Sequence, residues 1–339
     1  MQHLTLFTEK EKEHLLKKRK EEIKFGEHIQ LLHNLSNIYD DIADLDVDYV
    51  IFGVKEDIGV AANYGNPGTY NTWDATLNIL LNIQSNEFTS AKRVLVLGHL
   101  EYTEQRKALL ELDLTKKKQV SKIRSFVETI DKDVTYVVSS IIKAGKIPII
   151  IGGGHNNAYG NIKGAALAYN QRINVINFDA HSDFRADEGR HSGNGFSYAY
   201  AEGFLKHYFI FGLHENYTSD TLIKTLKKVK SIKYNTYEAI DVRKELNYVS
   251  ELKIASDHIN DRPFGVEIDC DAINNIPSSA MTPSGFDVKK VRQFINYFAK
   301  HENAAYLHIC EAIPNENTDT QIGKLITYFI TDFIRAKNK

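Results

Sequence analysis

Short, mainly apolar runs recur along the chain, most followed by a polar turn and then by residues with a helical period. The clearest runs lie at 48–54, 93–98, 147–151, 173–178, 208–213, 263–268 and 304–309. Their apolar character, continuous in 147–151, predicts strands of a sheet covered on both faces. Between the second and third runs, Val120, Ile123, Val127, Ile130, Val134, Val137, Val138, Ile141 and Ile142 recur at three- and four-residue steps. That spacing predicts one long helix over 116–144, closed by Gly145. Shorter helices are predicted over 72–81, 161–169, 221–229, 237–252, 288–299 and 320–336. Strands alternating with helices predict an α/β fold built on a doubly wound, mainly parallel sheet.

The ends and loops refine this picture. Residues 9–25 are dense in Lys and Glu, with Leu15, Leu16, Ile23 and Phe25 as the regular apolar positions, which predicts a solvated surface helix. Residues 1–45 therefore read as an N-terminal helical extension and 46–339 as a single catalytic domain, with no linker or repeat to divide it. The Gly- and Asn-rich stretch 59–70 is a long loop after a buried strand, a usual place for function.

Composition narrows the class. The 339 residues are 42% hydrophobic and 25% charged, enough apolar material for a full core. A formal net charge of -2 provides no global field to recruit nucleic acid or an anionic membrane. The two cysteines, Cys270 and Cys310, are too few for a disulfide framework, and they read as small packing residues in a reducing, cytoplasmic setting. The first residues lack the apolar core of a signal peptide, and no run approaches the ~18 apolar residues of a membrane span.

Chemistry gathers at the ends of four predicted strands. His155 follows 147–151 behind Gly152-Gly153-Gly154, and Asp179, His181 and Asp183 follow 173–178. Asp269 and Asp271 follow 263–268, and Glu311 follows 304–309. In extended backbone, residues two apart point to one side, so Asp179, His181 and Asp183 form a ready ligand set, as do Asp269 and Asp271 with Cys270 facing away. Each alone has an ordinary structural explanation: a capping histidine, a loop carboxylate, a phosphate-type glycine turn lacking its Lys and Ser/Thr. Together, four carboxylates and two imidazoles exceed the needs of one tetrahedral zinc. The oxygen-rich mix suits Mn²⁺ or a similar ion, and the count of ligands points to two divalent cations.

Gly-Gly-Gly-His at 152–155, Asp-Ala-His-Ser-Asp at 179–183 and Glu-Ile-Asp-Cys-Asp at 267–271 resemble the three metal motifs of the ureohydrolases, the family of arginase, agmatinase and formimidoylglutamase. The resemblance spans roughly 145–315, with a looser echo at 50–80. It implies a three-layer α/β/α fold, two Mn²⁺ per chain and a homo-oligomer. His155, Asp179, Asp183 and Asp269 would hold one ion, and Asp179, His181, Asp269 and Asp271 the other. Glu311 would hold the planar cationic group of a small-molecule substrate, and His191 would move a proton. The Phe184-Arg185 segment and the His-Ser-Gly-Asn loop at 191–194 are most similar to formimidoylglutamase-like members. Arg185 and Asn194 are then expected to meet the substrate, with Asp183, His191 and Glu311 catalytic. The expected activity is hydrolysis of a C–N bond in a formimino or guanidino group, most closely formiminoglutamate to glutamate and formamide.

Three other readings compete: an arginase releasing urea, a deacetylase of the same broad fold with one zinc, and a scaffold without turnover. A one-zinc site leaves His155 and Asp271 without a task, and a scaffold predicts lost ligands where none is missing.

Overall fold

Each of the seven apolar runs forms a strand in the structure, a computed structural model that describes residues 2–186 and 188–338. The strands are β1 (Leu4–Leu6), β2 (Tyr49–Lys55), β3 (Val94–Glu101), β4 (Ile147–Ile151), β5 (Ile173–Phe178), β6 (Leu205–Leu213), β7 (Ile232–Thr236), β8 (Phe264–Asp269) and β9 (Ala304–Cys310). They make one sheet in the order β1-β3-β2-β4-β9-β8-β5-β6-β7. Every pairing is parallel except that of β1, which runs antiparallel along β3.

The two strands that the apolar runs do not mark sit at the sheet's edges. β7 reads Ile-Lys-Tyr-Asn-Thr, with polar residues that only an edge position tolerates. β1 has only three residues and belongs to a segment expected to be helical. The surface helix expected over 9–25 stops at Leu15, started by a capping box between Thr8 and Glu11. Phe7 before this helix, and Phe25 and Ile29 after it, enter the core. The expected helix over 237–252 is also broken. A five-residue π turn, Glu238–Val242, is followed by Lys244 at φ 57°, and the helix proper is Tyr248–Ile259.

Alternate residues of each strand feed two separate apolar layers. Tyr49 and Ile51 of β2 face the helices Thr72–Leu80, Val288–Ala299 and Asp319–Lys337, through Trp73, Phe294 and Phe329 among others. Val50, Phe52 and Val54 face the opposite way, onto Lys117–Lys143 and Asn157–Tyr169. The result is the expected three-layer α/β/α arrangement. Among the described residues no helix is long and apolar enough to cross a membrane.

The strand order decides where chemistry can gather. β4, β9, β8 and β5 are consecutive neighbours in the middle of the sheet, although the chain visits them far apart. The four strand ends that carry the candidate residues therefore lie side by side, at the carboxyl edge where open α/β sheets form their crevice.

Candidate metal centre and its cleft

The turn after β4 is built for close approach. Gly152 and Gly153 take φ 85° and 73°. A Cβ on Gly153 would stand 2.3 Å from Asn157 Nδ2 and 2.8 Å from Glu56 Oε1, so only glycine fits. Glu56, buried just after β2, ties this turn down: Oε1 accepts from Gly154 N–H (2.8 Å) and Asn157 Nδ2 (2.9 Å), and Oε2 from Ile58 and Gly59 N–H. His155 N–H donates to Glu311 Oε1 at 2.6 Å, stitching the turn to the end of β9.

The other ligands converge, though not through extended backbone as the spacing suggests. β5 stops at Phe178, and Asp183 turns back with φ 43°. β8 ends at Asp269, followed by a 3-10 turn over Cys270–Ala272 in which Asp269 accepts from Asp271 N–H (2.7 Å). Glu311 also lies in the left-handed region, at φ 63°. Non-glycine residues held there store strain, a common mark of functional positions.

His155 Nδ1 lies 2.9 Å from Asp183 Oδ2, 3.0 Å from Asp269 Oδ2 and 3.3 Å from Asp179 Oδ2. These four residues offer ligand atoms within 4.8 Å of one another, all buried. Beside them, His181 Nδ1 lies 3.6 Å from Asp179 Oδ1 and 3.8 Å from Asp271 Oδ2. The six expected ligands thus fall into two groups that share Asp179. His155 also approaches His308 and Cys310 closely enough for a second, sulfur-containing donor group on its far side.

So many acids in one buried place cannot all stay ionised without cations. Burial raises Asp269 well above the usual carboxylate range, and the charges of Asp271 and Asp179 push it further. Burial also raises Asp183, helped by Asp179, and raises Asp271. Burial opposes charge on His181, but Asp179 and the other carboxylates carry it up to about 10. Asp179 also feels burial, yet its bonds with His155 and His181 hold it below the ordinary range. Divalent cations would replace these protons, and a set of carboxylates with two imidazoles suits a hard or borderline ion such as Mn²⁺.

A cleft of about 250 Å³ opens onto this centre, lined in part by Asp183, Asp269, Asp271, His181 and Glu311. Glu311 Oε2 is buried without a hydrogen-bond partner. Burial and then Asp271 push this carboxyl up to about 8. Arg185 also lines the cleft, with Nη1 donating to Asn63 Oδ1 (2.6 Å) and Nη2 to Glu188 Oε1 (2.7 Å). Asp187, two residues on from Arg185, lies outside the described residues.

Two expected site residues stand behind the wall. His191 is fully buried, its Nδ1 accepting from Gly193 N–H (3.1 Å) while Nε2 meets Glu188 Oε1 (3.1 Å). Burial, reinforced by the charge of Arg185, lowers its pKa to about 4, so the ring is neutral. Asn194 is also buried, and its amide serves the loop: Oδ1 accepts from His191 N–H (3.0 Å) and Nδ2 donates to Gly189 O (2.9 Å). Neither residue is among those lining the cleft.

Comparison with known proteins agrees with this geometry. The Arginase family matches residues 47–334. The chain belongs to the arginase family. A formimidoylglutamase of Streptococcus gordonii is 24% identical over 296 residues, covering 84% of this chain and 83% of its own. Among solved structures, formimidoylglutamase from Bacillus subtilis superposes with a TM-score of 0.72 at 16% identity, covering 95% of this chain and 94% of that one. Trypanosoma cruzi formiminoglutamase, solved with Mn²⁺₂, gives a TM-score of 0.70 at 19% identity, covering 86% and 93%.

Some residues of this arginase-family cleft carry no sequence signal of their own. Val60, Asn63 and Gly65 come from the stretch read only as a long loop, which holds a short helix at Ile58–Ala62. Tyr217 stacks on His181, with ring centroids 5.8 Å apart, from a turn that no motif marks. Glu56 and Glu267 are buried acids at strand ends, and that placement was the only available hint.

Proposed function

We propose that this chain is a binuclear manganese hydrolase of formiminoglutamate, cleaving it to glutamate and formamide. The observation that carries the reading is the convergence of His155, Asp179, Asp183 and Asp269 at neighbouring strand ends, with His181 and Asp271 alongside. His155, Asp179, Asp183 and Asp269 would hold one ion, and Asp179, His181, Asp269 and Asp271 the second. When bound, the ions supply the charge that makes hydroxide available from water at neutral pH.

The chain's own residues do the rest. Glu311 presents its unpartnered Oε2 to the N–H groups of the planar formimino carbon unit, the pairing that carboxylates make well. Asp183 accepts a hydrogen bond from the attacking oxygen nucleophile and orients it toward that carbon. As that oxygen becomes the formamide carbonyl its proton passes to Asp183, which gives it to the glutamate nitrogen, and the C–N bond breaks with this nitrogen leaving as an amine. His191 supports this chemistry from behind the wall, where it fixes Glu188 and through it Arg185.

Arg185 favours the dicarboxylic substrate. Two of its five N–H donors are committed to Asn63 and Glu188, and among the described residues the other three have no partner and could meet a substrate carboxylate. The relatives named formimidoylglutamase support the same choice. The catalytic unit would be residues 46–339, with 1–45 an extension fastened along β3, in a cytoplasmic homo-oligomer.

Product analysis tests the reading. Purified protein loaded with Mn²⁺ should release formamide from formiminoglutamate, and little urea from arginine, agmatine or other guanidino compounds. Efficient release of urea from arginine with formiminoglutamate untouched would make arginase the better description.

A further inference from the structure

The centre is supported from behind by a second layer of buried polar groups, organised around Glu267. This residue lies on β8 two positions before Asp269 and is fully buried. Its Oε2 is 3.5 Å from His155 Nε2 and 2.5 Å from His308 Nδ1. Its Oε1 accepts from the Tyr306 hydroxyl at 2.8 Å, with Asn161 Nδ2 at 3.5 Å. Space for this arrangement is deliberate in the sequence. A Cβ on Gly265 would stand 2.1 Å from the Tyr306 ring, so glycine there lets the tyrosine reach across to Glu267.

His155 shows why the network matters. Its Nδ1 faces Asp183, Asp269 and Asp179. An imidazole that offers one nitrogen to a cation carries its proton on the other, and that N–H is normally received by a carboxylate, a carbonyl or water. Among the described residues His155 Nε2 is buried without a hydrogen bond, and the carboxylate nearest it is Glu267, at 3.5 Å. Left without an acceptor, a buried N–H costs on the order of 1–3 kcal/mol and leaves the ring free to tilt.

We propose that Glu267 is a positioning residue for the metal centre: it receives the Nε2–H of His155, fixing the tautomer and ring plane that aim Nδ1 at the cation. Tyr306 and His308 hold Glu267 for this task. The inference rests on the metal-centre reading above and deepens it.

The test is calorimetric titration of chelator-stripped protein with MnCl₂, comparing wild type with Glu267→Gln and Tyr306→Phe. Glu267→Gln keeps the side-chain volume and should weaken one of two binding steps by about 10–100-fold, the range for lost outer partners of metal ligands. The other step, served by His181 and Asp271, should move much less. Tyr306→Phe should weaken the same step by a smaller factor. Unchanged binding in a folded Glu267→Gln protein overturns the proposal. So does equal weakening of both steps with a lowered melting temperature, since that reports general damage. If Glu267→Gln does not fold, Tyr306→Phe decides, because its hydroxyl touches Glu267 and not the centre. A wild type that binds only one ion overturns the two-ion reading instead, and the same comparison on that single step still decides the role of Glu267.

Discussion

Replacing Arg185 by alanine separates a substrate-binding arginine from a structural one by the size of two effects. The side chain is 47% exposed and pairs with Glu188, itself 40% exposed. Such a solvent-screened pair contributes roughly 0.2–1 kcal/mol to stability. The bond to Asn63 adds about as much again as an ordinary hydrogen bond, roughly 0.5–1.5 kcal/mol. Arg185→Ala should therefore lower unfolding free energy by no more than about 2.5 kcal/mol, measured by urea denaturation. Its effect on substrate should be larger for its context. A hydrogen bond to a charged group is worth about 1.5–3 kcal/mol, and one decade in affinity is about 1.4 kcal/mol. Loss of one carboxylate contact thus raises KM for formiminoglutamate by about 10–100-fold, with kcat much less affected, the pattern of lost ground-state binding. Steady-state assays of formamide release across substrate concentration give both constants. An unchanged KM together with the modest stability loss would refute the assignment and leave Arg185 as a brace between Asn63 and Glu188.

Three further outcomes are expected. Asp179→Ala and Asp269→Ala should be the most damaging single changes at the centre, and metal analysis should find both well below the Mn²⁺ content of wild type. His191→Gln should change the acid limb of stability. Because the folded pKa is about 4 and the free value about 6.5, the neutral ring stabilises the fold fully above pH 6.5 and this is lost as pH falls towards 4. The wild-type advantage over the variant should therefore shrink by up to about 3 kcal/mol across that window, read by chemical unfolding at a series of pH values. Gly153→Ala should cost about 1–3 kcal/mol because the residue sits at φ 73° and a Cβ would press on Asn157. Manganese uptake should fall with it, since His155 rides on the same turn.

The candidate centre was legible in the sequence because each expected ligand lies at or just beyond the end of a mainly apolar strand. Ile147–Ile151 and Ile173–Phe178 announce themselves by composition, and a polar residue just beyond such a run has few structural reasons to be His or Asp. The argument from two-residue spacing picked residues that the structure does bring together, but by a different local geometry. Asp183 joins the others through a left-handed backbone, and Asp271 through a 3-10 turn. Edge elements escaped for the opposite reason. β1 is three residues long and β7 is polar in alternate places, so both depend on pairing with a neighbour rather than on their own apolar character.

What composition could not reveal is partnership. His191 reads the same as a proton carrier or as a buried brace until Gly193 and Glu188 are seen to occupy its two nitrogens. Arg185 likewise takes its meaning from Asn63, 122 positions earlier in the chain. Glu267 is the sharpest case, since the motif that contains it draws attention to the two aspartates after it. Only the adjacency of β8 and β9 brings Tyr306 and His308 against its carboxylate, and only the turn after β4 brings His155 to the other side. The residues expected to hold the cations are chosen by ligand chemistry, which a sequence displays. Those proposed to aim them are chosen by packing, since any buried acceptor in the right place would serve, and that choice shows only once the strands are placed side by side.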